Sequence, residues 1–362
     1  MWDADTNPKR MLTFRSGGWV LLLTAVIAVM VLLIVVAPAL RRLSDRPPGD
    51  GKDPATYGFA LSPSLIPREE IVAAQLHRDL LEALVQPPVM DGTAVAAFNE
   101  AHRGKYLVSH DRVIGVEIGE EARAYPLLVL ASHEIVNDIV GGVPIAVTYN
   151  PLCDSVVVFD RTIGGEVLEF GVSGLVYNSN LLMYDRGPEI GGESLWSQLQ
   201  GRAVTGPAAA AGRELTLIPA QVTHWGDWSS HHPDTTVLAV GEAELKRYKY
   251  QYSSYEGYFV GDELLFPVDV PLPADGPRPK TPCVIVFADE AQRIYPLSGI
   301  ADRAGASGQW RDELNGEAFT FRHAADPDVV RVRSADGDPA TVIYSFLFAW
   351  QAMHPGAELA DL

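Results

Sequence analysis

The stretch from Trp19 to Leu40, WVLLLTAVIAVMVLLIVVAPAL, contains no Asp, Glu, Lys or Arg. At about 1.5 Å of rise per residue, a helix of that length covers the roughly 30 Å hydrocarbon core of a bilayer. The run is longer than the apolar region of a typical signal peptide, so an uncleaved signal anchor is expected. Ala37-Pro38-Ala39 nevertheless has the small-x-small form of a cleavage site. Lys9, Arg10 and Arg15 precede the run and Arg41, Arg42 and Arg46 follow it, so flanking charge does not choose an orientation. Long domains translocate largely regardless of such charge, and the domain that follows is expected outside the cytoplasm, at the cell membrane.

This segment divides the 362 residues into a tail (1–18), the anchor (19–40), a linker (41–58) and a globular region (59–362). The linker is rich in Pro, Gly and Asp and reads as a solvated stalk. With 47% hydrophobic and 20% charged residues, the globular region has the material for a packed core. Residues 1–46 carry six Lys/Arg against three Asp/Glu, and the remainder carries 22 against 43. So acidic a domain repels nucleic acid, which is not an expected partner; the membrane is one, through the N-terminal helix.

Pro67–Val85 has Pro at its start, acids in the first turn and apolar residues at three-to-four spacing, which predicts a helix. Shorter helices are expected at Thr93–Ala101, Leu127–Val140 and Glu193–Gln200. From Val113 onward, short β-branched runs such as VPIAVTY and SVVVFD alternate with Gly, Asp and Asn, the texture of strands and turns. The fold class expected is α+β, mainly β.

Two motifs recur in the same order. VEIGEEARAYPL (Val116–Leu127) is similar to VFADEAQRIYPL (Val286–Leu297), and Trp-x-x-x-His-Pro occurs at Trp228 and at Trp350. A degenerate duplication follows, with halves at about 113–240 and 282–359. His232 and His354 are expected as packing caps against their tryptophans, with a metal or catalytic use as the alternative.

The longer half contains TYNPLCDS (Thr148–Ser155), with one of only two cysteines. Asn150-Pro151 breaks the strand and places Cys153 in a turn at its end, where scaffolds present reactive groups. Neither Cys153 nor Cys283 belongs to a CxxC pair. Cys153 is then a thiolate nucleophile, a single metal ligand, one end of a bridge to Cys283, or a buried inert thiol. His133-Glu134-Ile-Val-Asn137 begins like a zincin motif but has Asn137 where the second His belongs. On a helix, His133 and Asn137 would share a face and point towards the Cys153 turn, or simply brace the helix. Leu175–Arg186 concentrates hydrogen-bonding side chains, as a polar cleft or an ordinary hairpin turn does. Tyr248, Tyr250 and Tyr252 at period two suggest one face of a strand, as a packing ladder or a stacking platform.

HEIVND, the TY-PLC-S frame, GVSGLVYNS, LLMYDR and LWSQ, in that order, resemble the family catalogued as domain of unknown function 3179, across roughly Val113 to Pro355. The resemblance implies a bacterial or archaeal protein, exported or membrane-anchored, of no settled activity. Family members typically read TYCPLCGS, where this chain has Asn150 and Asp154, and YNSD, where it has Asn180. Half of a CxxC is thus retained. His133, Glu134, Asn137, Tyr149, Cys153, Tyr177, Asn178, Tyr184, Asp185, Trp196 and Gln198 keep the family pattern.

These residues suggest one polar cleft that binds a metal ion or small ligand, with redox-linked catalysis as an extension. In a catalytic cleft, Cys153 would be nucleophile or ligand, His133 base or second ligand, and Tyr184 with Asp185 would orient substrate. Asn137, Tyr149, Asn150, Tyr177, Asn178, Trp196 and Gln198 would line it. A mixed Cys153/His133 metal site suits copper or zinc by ligand type. The alternative is a non-catalytic cell-surface binding or scaffold module with the tyrosine strand as its face.

Overall fold

The computed structural model describes residues 18–44, 47–187, 190–269 and 276–361. They fall into two units divided after Pro47. In the first unit, Gly18–Ser44 forms one helix, and its side chains from Trp19 to Leu32 are all exposed. Side chains 33–40 of the expected span lie outside the described residues. Among the described residues no helix is long and apolar enough to cross a membrane.

The second unit, Pro48–Leu362, is β-rich. It begins ahead of residue 59, because Tyr57 is fully buried in an apolar cluster with Phe59 and Tyr184. Two hairpins organise much of it: Arg112–Ile118 with Glu121–Pro126, and Pro282–Ala288 with Ala291–Pro296. Each ends in Tyr-Pro-Leu, where proline closes the strand and leucine opens a helix. The first strand of each hairpin takes an antiparallel neighbour, Ala220–His224 or Val342–Phe346. The second takes a parallel one, Thr236–Leu238 or Glu358–Leu359.

The side chains repeat with the strands. Beside each hairpin the antiparallel neighbour leads into a seven-residue helix ending at the His-Pro pair. His232 and His354 stack on Trp228 and Trp350 with ring centroids 4.0 Å apart in both cases. Burial holds both imidazoles below the usual histidine range, and each packs against its tryptophan as a cap. Arg123 and Tyr125 converge on Asp138, and Arg293 and Tyr295 converge on Asp312. Gly115 is required by the fold: a Cβ there would lie 2.3 Å from the Trp228 ring.

The residues between Glu121–Pro126 and Ala220–His224 supply most of the rest of the large sheet, and Leu84–Val85 adds a parallel edge to it. Ile135–Val140, Val143–Asn150 and Ser155–Asp160 run antiparallel in that order, and Ser155–Asp160 joins Val342–Phe346 through Tyr344 and Val156. The Cys153 turn therefore lies next to the junction with Val342–Phe346. In a second sheet Phe170–Tyr177 pairs with Asn180–Asp185, which pairs in turn with Leu195–Ser197.

Four local expectations change. Leu127–Val140 is a one-turn helix, Leu127–Leu130, followed by the strand Ile135–Val140. The strand is buried at every position but Ile139, polar Asn137 and Asp138 included, so polar and apolar residues do not alternate as a half-exposed strand requires. Pro67–Val85 is a three-residue 3-10 turn and two short strands, Ile71–Ala73 and Leu84–Val85. Glu193–Gln200 contains the strand Leu195–Ser197. The tyrosine segment is the helix Glu242–Ser253. Tyr248 and Tyr252 are one helical turn apart there, Tyr248 in the main core and Tyr252 packed against it, and the side chain of Tyr250 lies outside the described residues. The helix expected at Thr93–Ala101 forms as Gly92–Ala101, with Asp91 accepting from the Ala94 N–H at 2.7 Å.

Candidate functional site

Asn150 pairs with Ser155 at the end of two antiparallel strands, and Pro151–Asp154 connects them. The turn closes on itself: the Asn150 Oδ1 accepts from the Leu152 N–H at 2.9 Å, and its carbonyl accepts from the Cys153 N–H at 3.3 Å. Asp154 occupies the left-handed region at φ +42°. Its carboxylate receives both guanidinium amines of Arg112, at 3.2 and 3.1 Å, and the Tyr149 hydroxyl at 2.8 Å. The Cys153 carbonyl accepts from the Phe346 N–H at 2.7 Å. A turn held at so many points presents its side chains rigidly.

Cys153 points inward. Its Sγ and the Nδ2 of Asn150 both donate to the Ser179 carbonyl oxygen, each at 3.3 Å. Asn178 and Ser179 form a two-residue hairpin turn at φ +49° and +61°. The Asn178 side chain accepts from the Asp269 N–H at 2.8 Å and is thereby used. Cys153 and Cys283 are both buried and free, so there is no bridge between them. Burial pushes both thiols well above the usual cysteine range. A protonated, enclosed thiol is a poor nucleophile.

The remaining expected residues divide among separate surroundings. His133 donates and accepts in place, with Nδ1 2.6 Å from the Glu82 carbonyl oxygen and Nε2 2.9 Å from the Tyr248 hydroxyl. Asn137 clips two strands together, accepting from the Phe170 N–H and donating to the Phe170 carbonyl, at 2.8 Å each. Gln198 lies in a closed network with Thr148, Ser155 and Asn180, at 2.7 to 2.9 Å. Trp196 is buried edge-on against Phe170, ring centroids 5.5 Å apart. Tyr177 is half-buried at the strand end.

Tyr184 and Asp185 have partners of their own. Tyr184 donates to Asp79 at 2.5 Å and lies beneath the Arg78 guanidinium, 4.2 Å from ring centroid to carbon. Asp185 accepts from the Ser194 N–H at 2.6 Å, and burial raises its carboxyl. The two donors expected for copper or zinc, His133 and Cys153, are each engaged in hydrogen bonds. Both His133 ring nitrogens are engaged, and Cys153 Sγ is spent on a backbone carbonyl. Among the described residues no group of three or more His, Cys, Asp or Glu side chains is placed to hold a metal.

What does open beside this turn is a cavity of about 300 Å³, lined by Asn150, Glu134, Gln75, Gln251, Tyr255 and apolar side chains including Leu181. Glu134 follows His133 in a backbone conformation, φ +56°, that a residue with a side chain seldom adopts. Two bonds fix it: its N–H donates to the Leu130 carbonyl at 2.6 Å and its own carbonyl accepts from the Tyr149 N–H at 2.8 Å. Its carboxyl is buried, and burial alone pushes the pKa up to about 8. Tyr255, which also lines the cavity, is pushed up to about 12 by burial and by the nearby Glu134 charge.

Glu134 and Gln75 both line this cavity, and one side-chain oxygen of each, Oε2 of Glu134 and Oε1 of Gln75, is buried without a hydrogen-bond partner among the described residues. Residues 87–342 match the family described as Protein of unknown function (DUF3179). The chain belongs to that family. The matched span contains Glu134, Asn150, Cys153, Gln251 and Tyr255, and Gln75 lies before it. No curated protein and no solved structure matches the chain. Gln75, Gln251 and Tyr255 were invisible as site residues in the sequence. Their only local signal is the four-residue spacing of Gln251 and Tyr255, which a period-two reading of the tyrosines hides.

Proposed function

We propose that the protein is a membrane-anchored extracytoplasmic binding domain whose cavity takes a small molecule with an apolar body and a hydrogen-bond donor, best a protonated amine. The reading rests on one observation: Glu134 and Gln75, each with a buried side-chain oxygen that lacks a partner among the described residues, line the same largely apolar cavity. An unpaired buried acceptor costs about 1–3 kcal/mol, and a donor on a ligand recovers that cost. An ammonium group would also release the Glu134 proton and pair with the carboxylate, while leucines and Phe266 enclose its apolar part. Thiol chemistry has no place in this reading, because Cys153 is enclosed and protonated. The anchor is supported by the apolar, charge-free run Trp19–Leu40 and by the exposure of its side chains through Leu32.

Thermal unfolding of the full chain with benzylamine, toluene and benzoate tests the cavity. Benzylamine should raise the midpoint by at least about 2 °C, toluene less, and benzoate not at all. Glu134→Gln should remove the preference for the amine. Equal effects of all three, or an unchanged amine preference in the variant, would count against the proposal. Protease accessibility in intact cells tests the anchor separately: digestion of the domain from outside is expected, and full protection would reverse the orientation.

A further inference from the structure

Away from that cavity, Gln309–Leu314, Glu317–Ala324 and Val329–Ser334 form a three-stranded antiparallel sheet. Side chains two apart on a strand share a face, and the register sets Arg311 opposite Thr320 and Thr320 opposite Arg333. Arg322 stands directly opposite Arg331. Like charges in that position destabilise a sheet. Arg311, Arg322, Arg331 and Arg333, with Thr320 and His231, line a concave cavity of about 360 Å³.

Among the described residues no Asp or Glu lines this cavity and none of its four guanidiniums forms an ion pair; only Arg333 hydrogen-bonds, to the Gly337 carbonyl. Asp227, outside the lining, is the acid that acts on Arg331. Arg331 is half-buried and held below the usual arginine range by burial and by the Arg322 and Arg333 charges, against the pull of Asp227. This concentration of cations occurs in a region with 22 basic and 43 acidic residues beyond residue 46. Chance placement in so acidic a chain would put carboxylates among the arginines.

We infer that this cavity binds a small, multiply charged phosphoryl compound. Guanidinium forks match phosphate oxygens in pairs, and hydrogen bonds to such charged groups are the stronger kind. Four of them suit a di- or triphosphate rather than a single carboxylate. The acidic surface elsewhere repels an extended polyanion, which favours a small ligand over nucleic acid. The bound anion would also relieve the repulsion between Arg322 and Arg331.

Isothermal titration of the full chain in non-ionic detergent with inorganic tripolyphosphate tests this. Saturable binding of one anion per chain is expected, weakening as salt rises. Arg322→Gln should weaken it about tenfold or more. The same variant should unfold at an equal or higher temperature than wild type without ligand, because a like-charge pair is gone. A merely structural Arg322 would instead lower that temperature. Lys246→Gln, outside the cavity, should change nothing. No saturable binding up to about 1 mM, or full affinity in the Arg311→Gln/Arg322→Gln double variant, would overturn the assignment.

Discussion

Asn150 and Cys153 share a single acceptor: the Nδ2 of one and the Sγ of the other both reach the Ser179 carbonyl oxygen at 3.3 Å. Both side chains are thereby directed from the turn onto the neighbouring hairpin, tying the two sheets together. Asn150 also closes the turn through its Oδ1, a bond no thiol supplies as well. The position that differs from the family's usual cysteine is thus occupied by a residue with a structural use, and Cys153 serves the same junction.

An enclosed, protonated thiol should react slowly. In native protein at about pH 8, Ellman's reagent should label neither Cys153 nor Cys283 within minutes, and both should react once the chain is unfolded. Cys153→Ala should fold and lose roughly 0.5–3 kcal/mol of stability, the usual span for a small buried side chain. Rapid labelling of Cys153 in the native state would restore it as a reactive residue.

Stability should carry the signature of Glu134. Its carboxyl moves from the ordinary 4.5 up to about 8 on folding because burial disfavours the charge. Between those values the unfolded chain has lost the proton that the fold retains. The contribution is fully present below about pH 4.5, falls by about 1.4 kcal/mol per pH unit, and is lost above about pH 8. Glu134→Gln lacks that slope. Urea unfolding at several pH values should therefore show wild type losing ground to the variant as pH rises, and parallel curves would contradict the assignment.

Tyr184 separates fold from binding. Tyr184→Phe removes the bond to Asp79 and should cost about 1.5–3 kcal/mol, the range for a hydrogen bond to a charged group. Benzylamine affinity should be unchanged. A selective loss of affinity at full stability would return Tyr184 to the site.

Gln198→Leu should be more damaging than its conservative shape suggests. Thr148, Ser155 and Asn180 would lose partners inside a network with no access to water. The cost should be at least about 2 kcal/mol by chemical denaturation, with no change in thiol reactivity before unfolding.

What could be read from the sequence was local. Tyr-Pro-Leu and Trp-x-x-x-His-Pro carry their own geometry, a strand end running into a helix and a ring stacked one turn away, and both copies take that form. Asn150-Pro151 likewise marked a turn at a strand end. Ile135–Val140 was hidden because it is buried at every position but Ile139, so polar and apolar residues do not alternate as a half-exposed strand requires. Tyr248 and Tyr252 fit period two and four-residue spacing equally well, and the polar formers around them decided for the helix. The cavity was not legible because Gln75, Glu134, Asn150 and Gln251 meet only through sheet pairing and helix packing.

Direct titration of the Glu134 carboxyl tests the central claim. Carbon-13 spectra of protein labelled at glutamate Cδ, compared with Glu134→Gln, should contain one carboxyl with a midpoint near 8, where an ordinary glutamate has 4.5. Saturation with benzylamine should lower that midpoint, because an ammonium favours the ionised form. A Glu134 signal titrating near 4.5, unmoved by the amine, would contradict the account.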